Sequence, residues 1–303
     1  MTERLSRTDW QQRARAHEEA VDALTAGHRE RRSRGQTHEV EDFLFTYYPQ
    51  RPGRLRRWHP GPDVILEDAA EEYGDRSGYV VAEDGSATVD VPAVVERRGR
   101  TLTFVQSLLR ATLDRPAHLG CFGMHEWAMV YRLQPGEQRH EDLPLRLSQA
   151  ETDRVVEGHQ VRCSHYDAYR FFTAPARLRN TLAPTRESQV AMEQPGCLHA
   201  GMDLYKWAFK LSPLVPSTLT LDAFRLARET RTLDMQASPY DVTGLGLDPV
   251  PVETAAGKAE YLQRQRDLAA RSNALRRRML DVLDPLTPDQ AAASPAACSP
   301  RDR

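Results

Sequence analysis

Long runs with helical spacing, cut at prolines and glycines, dominate this chain of 303 residues. Residues 7–34 read as a charged, arginine-rich helix, with Thr8 or Asp9 able to cap its start and Gly35 to end it. In residues 101–114, Leu102, Val105, Leu108 and Leu109 recur on one helical face, and Pro116 stops the run. A helix follows Pro195 and Gly196 and ends before Pro213. Residues 217–235 form another, with Leu219, Leu221, Phe224, Leu226 and Leu233 inward, and residues 254–283 form the last. Strand signals are few. YVVAEDGSATVDV alternates about an Asp-Gly pair and predicts a hairpin near 79–91, LPLRL a short strand at 143–147. Residues 63–74 read as a short helix, and 120–132 as a helix entered through glycines. The expected fold is therefore mainly α: one globular domain over residues 1–285 with a few short strands, and a disordered tail at 286–303.

Bulk composition narrows the function classes. Hydrophobic residues make up 40% and charged residues 28%, the profile of a soluble globular chain. No apolar run approaches the roughly 18–20 residues that cross a bilayer, and the N-terminus lacks the apolar core of a secretory signal. A cytoplasmic location with no membrane partner is the expectation. The formal net charge of -2 gives no global basic excess for holding phosphates, though a local basic face remains open. Lysine occurs only at 206, 210 and 258, so nearly all positive charge is arginine, as codon usage in a GC-rich genome produces. The four cysteines are expected to be reduced.

Three of those cysteines share a setting. Cys121 precedes His125 by four residues, Cys163 precedes His165 by two, and Cys197 precedes His199 by two. An acid follows each histidine: Glu126, Asp167 and Asp203. Aromatic residues follow in turn: Trp127, Tyr166 with Tyr169, and Tyr205 with Trp207. Such a repeated makeup suggests one site assembled in space from three segments. Histidines and acids can bind a metal or work without one as general acids and bases. His165, Asp167 and His199 imitate a two-histidine, one-carboxylate metal triad, with His125 a further ligand for Fe or Zn. Zinc-finger spacing is missing, and Met129 breaks the HExxH pattern that begins at His125. Each Cys–His pair can equally be core packing.

Further candidates lie near the N-terminus. His38 and Asp42 stand four apart, one face of a helix if a helix forms there. Phe43, Phe45, Tyr47, Tyr48 and Trp58 can stack a flat ring or fill a core, and Arg56 and Arg57 can grip phosphate or stay solvated. Arg170 follows Asp167 at salt-bridge spacing.

The strings GCFGMHEWAMVYR, CSHYDAYRFFT, EQPGCLHAGMDLYKWAFKLSP and SPYD at 238–241 resemble those of a bacterial, largely actinobacterial family carried under the name 3-methyladenine DNA glycosylase. HEVEDFLFTYYPQRPGRLRRWHPG resembles the N-terminal portion of the same family, so the resemblance spans roughly residues 10–283. It is not the helix-hairpin-helix type, because QPGC at 194–197 does not form that glycine hairpin. The resemblance implies a cofactor-free N-glycosylase of DNA repair, a hydrolase that flips an alkylated adenine out of alkylated DNA. Asp167, Asp203 and Glu126 would supply the carboxylate, with His125, His165 and His199 beside them. Trp127, Tyr166, Tyr169, Tyr205, Trp207, Arg170 and Lys206 would hold the base and its surroundings. Two other readings stay open: a metal-dependent enzyme acting on a small molecule, and a non-catalytic binding module using the aromatic N-terminal stretch and the arginine-rich last helix.

Overall fold

The computed structural model describes residues 2–133 and 143–287. Among them the chain is mainly α, with thirteen α-helices and one small sheet. The expected tail at 286–303 falls almost wholly outside the described residues; a 3-10 turn over Asp284–Leu286 closes the described part.

The N-terminal third builds a side layer. Strand β1 (Glu3–Leu5) leads into helix α1 (Arg7–Ser33). Ser6 caps α1, its hydroxyl accepting from the Asp9 amide, so the cap lies two or three residues before the expected Thr8 or Asp9. Short helices α2 (Phe43–Thr46) and α3 (Pro52–Leu55) follow. Residues 63–74, expected as a helix, instead give strand β2 (Val64–Leu66) and then helix α4 (Ala70–Tyr73). The physical reason is pairing. Val64, Ile65 and Leu66 lie parallel to Glu3, Arg4 and Leu5, and the two outer residues of the β2 triplet are buried. The expected hairpin forms from β3 (Tyr79–Val81) and β4 (Ala87–Val89), turning through Gly85 at φ 78°. Strand order is β1-β2-β4-β3, and Trp10, Trp58, Leu66 and Tyr73 pack a small core against it.

The main core lies among four longer helices: α5 (Val91–Leu113), α11 (Leu198–Lys210), α12 (Ser217–Gln236) and α13 (Ala255–Leu283). Helix α5 begins ten residues before the expected start, because Asp90 caps it and Pro92 suits its first turn. Between α5 and α11 run α6 (Met124–Met129), α7 (Gln149–Glu157), α8 (Tyr166–Tyr169), α9 (Ala174–Arg179) and α10 (Gln189–Met192). The strand expected at 143–147 reduces to one bridge between Leu145 and Tyr240. Helix α11 is buried nearly all round, packed by α12 and α13. Gly201 permits the approach of α13: a Cβ there would stand 2.7 Å from the Ser272 hydroxyl. Arg276 of α13, itself buried, donates to the Ala200 carbonyl. No helix among the described residues is long and apolar enough to cross a membrane.

The side layer meets α12 through His59. Its amide donates to the Ser217 hydroxyl at 2.8 Å, and its carbonyl accepts from the Ser217 amide at 2.9 Å. The His59 ring nitrogen Nδ1 lies 2.9 Å from the Tyr79 hydroxyl, which donates when the ring is neutral. Burial, then the charge of Arg76, pushes the His59 pKa down from 6.5 to about 4. Between those two values the unfolded chain binds a proton that the folded chain refuses, so stability must fall as pH drops through that window. Urea unfolding from about pH 7 to about pH 4 should lose about 2–3 kcal/mol from this group, flattening below. His59→Gln should make the loss shallower, and an unchanged slope would exclude the assignment.

Candidate functional site

Two charged networks meet under a cavity of about 710 Å³, and α11 supplies a member to each. The first is centred on Arg231 of α12, whose side chain is 1% exposed. Its Nη1 donates to Glu126 Oε1 and to Asp234 Oδ2, both at 2.9 Å. Asp234 Oδ1 lies 2.7 Å from His125 Nε2. The His125 ring meets the His199 ring edge-on, with centroids 4.4 Å apart. One ligand-type atom from each of His125, His199 and Asp234 lies within 4.8 Å of the other two, and all three residues are buried.

Local structure explains this convergence. Gly123, at φ 68°, turns the chain sharply into α6 and aims His125 and Glu126 inward on the first turn. Trp127 then pins α6 to the end of α12, its indole donating to the Ala237 carbonyl at 2.9 Å. On α12, Ala223, Ala227, Thr230, Arg231 and Asp234 follow one buried stripe, so the charges occupy positions that would otherwise be apolar.

The second network lies one helical turn along α11. Asp203, 1% exposed, accepts from the Tyr48 hydroxyl at 2.6 Å, from His165 Nε2 at 3.3 Å and from the Lys206 ammonium. His165 caps α8, and its ring stacks on His199 at 5.3 Å. Asn180 fixes the approach to it by bonding both the amide and the carbonyl of Cys163. His125, His199 and His165 thus stand in one row, with His199 in the middle.

Charge states follow from these contacts. Burial opposes a charge on His125, but Asp234 outweighs it and lifts the pKa. Burial, then the neighbouring His125, holds His199 well below its ordinary value, so that ring is neutral. Burial would raise Asp203, yet Lys206 and His165 pull it far below the usual carboxylate range. Burial and the Asp203 charge raise Tyr48, keeping its phenol protonated as a donor. Several buried polar atoms here have no partner, among them His199 Nδ1, His165 Nδ1 and Glu126 Oε2. An orphaned buried atom calls for a ligand, an ion or a water.

The cavity above the first network is lined by Phe43, Phe45, Tyr47, Met129 and Phe171, with His199, Glu126 and Arg231 as its polar floor. Phe43 and Tyr47 stack 5.0 Å apart with their planes 9° from parallel. The Arg231 guanidinium lies 3.9 Å from the Phe43 ring centre, so wall and floor are joined.

Other expected site residues fall elsewhere. Asp167 lines the cavity rim but is absent from the histidine cluster; it pairs with Arg170 at 3.4 Å and Lys206 at 3.6 Å. The ligand-type carboxylate beside the histidines is Asp234 instead. Trp127 and Tyr205 are wholly buried core residues, and Trp207 packs on Phe104 beneath Lys206. Tyr169 packs on Phe172, and Tyr166 lies beside Arg186, so neither aromatic faces the cavity. Asp42 sits outside any helix, bound by His28 and Arg31 and accepting from the His38 amide. Trp58 belongs to the small core, and Arg56 pairs with Glu18 and Asp22. Burial raises the thiols of Cys121, Cys163 and Cys197, Cys163 to about 12, which leaves them neutral packing groups. Cys298 lies outside the described residues. Sequence reasoning missed Arg231, Asp234 and the partnership of Tyr48. The available signal was RTLD at 231–234: two opposite charges three apart on a helix read for its apolar face.

Compared with protein-family models, curated proteins and solved structures, the chain matches none.

Arg231 neutralises two buried carboxylates, so its loss should be expensive. Arg231→Met is expected to cost about 3–5 kcal/mol in chemical denaturation. Adding Glu126→Gln and Asp234→Asn should restore part of that, because the uncompensated charges go too. A single variant within about 1 kcal/mol of the parent would mean that water reaches these groups.

Proposed function

We propose that this chain is a cytoplasmic enzyme whose reaction centre is the His125–His199–Asp234 cluster, carrying a first-row divalent metal such as zinc or iron and acting on a compact, flat ligand in the cavity above. The observation that carries this reading is the meeting of three buried ligand-type side chains from α6, α11 and α12, one of which, His199, lines a cavity with aromatic walls. The donor set suits such an ion, since neutral imidazole and carboxylate are its usual protein ligands. The fit rests on His199, whose Nδ1 is buried without a partner and whose ring is neutral.

The chain's own residues would divide the work. His125, His199 and Asp234 would hold the ion, and Arg231 would fix the orientation of Asp234 through its second oxygen. A bound divalent ion supplies Lewis acidity and lowers the pKa of a coordinated water. Glu126 keeps one oxygen free of any partner at the cavity floor and is the proton acceptor of this site. Phe43, Tyr47 and Phe171 would hold a flat ring and exclude water.

A second reading is the one the family resemblance implies: hydrolysis of the N-glycosidic bond of an alkylated adenine in DNA, without a metal. The aromatic wall and the free Glu126 oxygen favour it, since a flat cationic base needs stacking and a nearby carboxylate. Asp167 at the rim and Asp203 in the second network would then serve as supporting carboxylates.

Elemental analysis of tag-free protein separates the two readings. About one metal ion per chain is expected, falling to a small fraction in His199→Ala and Asp234→Asn variants that stay folded by circular dichroism. Metal-free protein that binds no added zinc or iron would overturn the first reading. Release of free 3-methyladenine from alkylated duplex DNA in the presence of chelator would establish the second.

A further inference from the structure

A second cavity of about 540 Å³ adjoins the first, and the two share Thr46, Tyr47, Asp167 and Phe171. Its chemistry differs from that of its neighbour. Five cations line it, namely Arg54, Arg98, Arg170, Lys206 and Lys210, against one carboxylate, Asp167. Arg170 and Lys206 are matched by Asp167 and Asp203. Arg54, Arg98 and Lys210 pair with no carboxylate among the described residues. Arg98 is half-buried and donates through Nη1 to the carbonyls of Lys210 and Ser212. The Arg54 guanidinium lies 5.8 Å from the Phe209 ring centre and the Lys210 ammonium 5.2 Å from that of Trp207, so each charged head faces an aromatic ring.

We propose that this second cavity binds the phosphate group of a small phosphorylated ligand whose flat portion occupies the first cavity. The geometry favours one small dianion over a polyanion. The surplus cations border a single hollow, whereas a nucleic acid is held along an extended basic track, usually by a chain with net positive charge. Arginine forks and lysine ammonium groups together suit phosphate oxygens. Clustering costs these cations: burial and then the nearby Arg97 and Arg54 lower the Arg98 pKa, and burial and then Lys206 lower that of Lys210. A bound dianion would relieve both. The proposal rests on the reading of the first cavity as a ligand site, though not on the metal.

The test is calorimetric titration of the full chain, in chelator so that any metal is removed, with inorganic phosphate, adenosine monophosphate and adenosine. Phosphate is expected to bind in the millimolar range, and the monophosphate more tightly than the nucleoside by about tenfold or more. Arg54→Gln and Lys210→Gln alter exposed side chains and should leave folding intact. Each should weaken phosphate binding by about tenfold. No phosphate binding up to about 10 mM, or equal affinity for monophosphate and nucleoside, would overturn the proposal. So would a single-stranded oligonucleotide that binds far more tightly than the monophosphate with a steep salt dependence, since that marks an extended track. Parent protein that binds phosphate here but, in the elemental analysis, holds no metal and takes up no added zinc or iron would strike the metal reading alone.

Discussion

A guanidinium sealed in the core at Arg231 holds the site together. Glu126 and Asp234 come from helices about a hundred residues apart in the chain, and each brings a negative charge out of water. Two carboxylates drawn toward one point would repel, and neither could stay ionised there without compensation. Arg231 makes their approach possible, and what surrounds them follows. Asp234, fixed from one side, orients His125 from the other. His125 sets its edge against His199. Phe43 lies over the guanidinium and carries the cavity wall with it. A chain that only needed a core here would use apolar residues of similar volume, which often serve stability as well or better. Stability alone therefore does not account for the charged solution.

Helix α11 joins the two networks. His199 and Asp203 are four residues apart and so share a face, one turn from each other. The first reaches the Arg231 network, and the second gathers Tyr48, His165 and Lys206. The stacked His165 and His199 rings close the remaining gap. A helix this buried can carry such groups only because its neighbours supply partners. Arg276 of α13 answers the Ala200 carbonyl, and Gly201 removes the side chain that would hold α13 away. The cost of burying charge is spread over α6, α8, α12 and α13.

Much of the fold was legible because its longer elements have strong periodicity. Helices α1, α5, α11, α12 and α13 lie where helical spacing puts them, with errors mainly at their starts. Those errors have local causes: Ser6 outcompetes Thr8 as a cap, and Asp90 with Pro92 extends α5 upstream. The strands at residues 3–5 and 64–66 were not legible, because three residues carry no readable alternation and their pairing is tertiary. Within the site, the Cys–His–acid segments marked His125, Glu126, His165, His199 and Asp203, which are polar residues crowded into apolar surroundings. Arg231 and Asp234 were hidden in a helix read for its leucines. The aromatics after each histidine misled for a physical reason. Trp127, Tyr205 and Trp207 follow on a helix, where the next residue turns about 100° away from the one before it and packs on different neighbours.

The net charge of -2 looks at first opposed to any anionic ligand, yet net charge is a sum and a site responds to local arrangement. Many surface arginines are already spent on acids: Arg4 on Glu67, Arg56 on Asp22, Arg271 on Glu229 and Arg278 on Asp222. Such exposed pairs contribute little stability each, but they cancel field at a distance. Arg54, Arg98 and Lys210 are not cancelled in this way, and they gather where a concave wall limits screening by water. The two cavities therefore differ in kind. One has aromatic walls over a nearly balanced floor; the other has a surplus of positive charge, and Asp167 stands at the junction. A ligand with a flat end and an anionic end matches this asymmetry when its anion faces the surplus cations and its ring the aromatic walls.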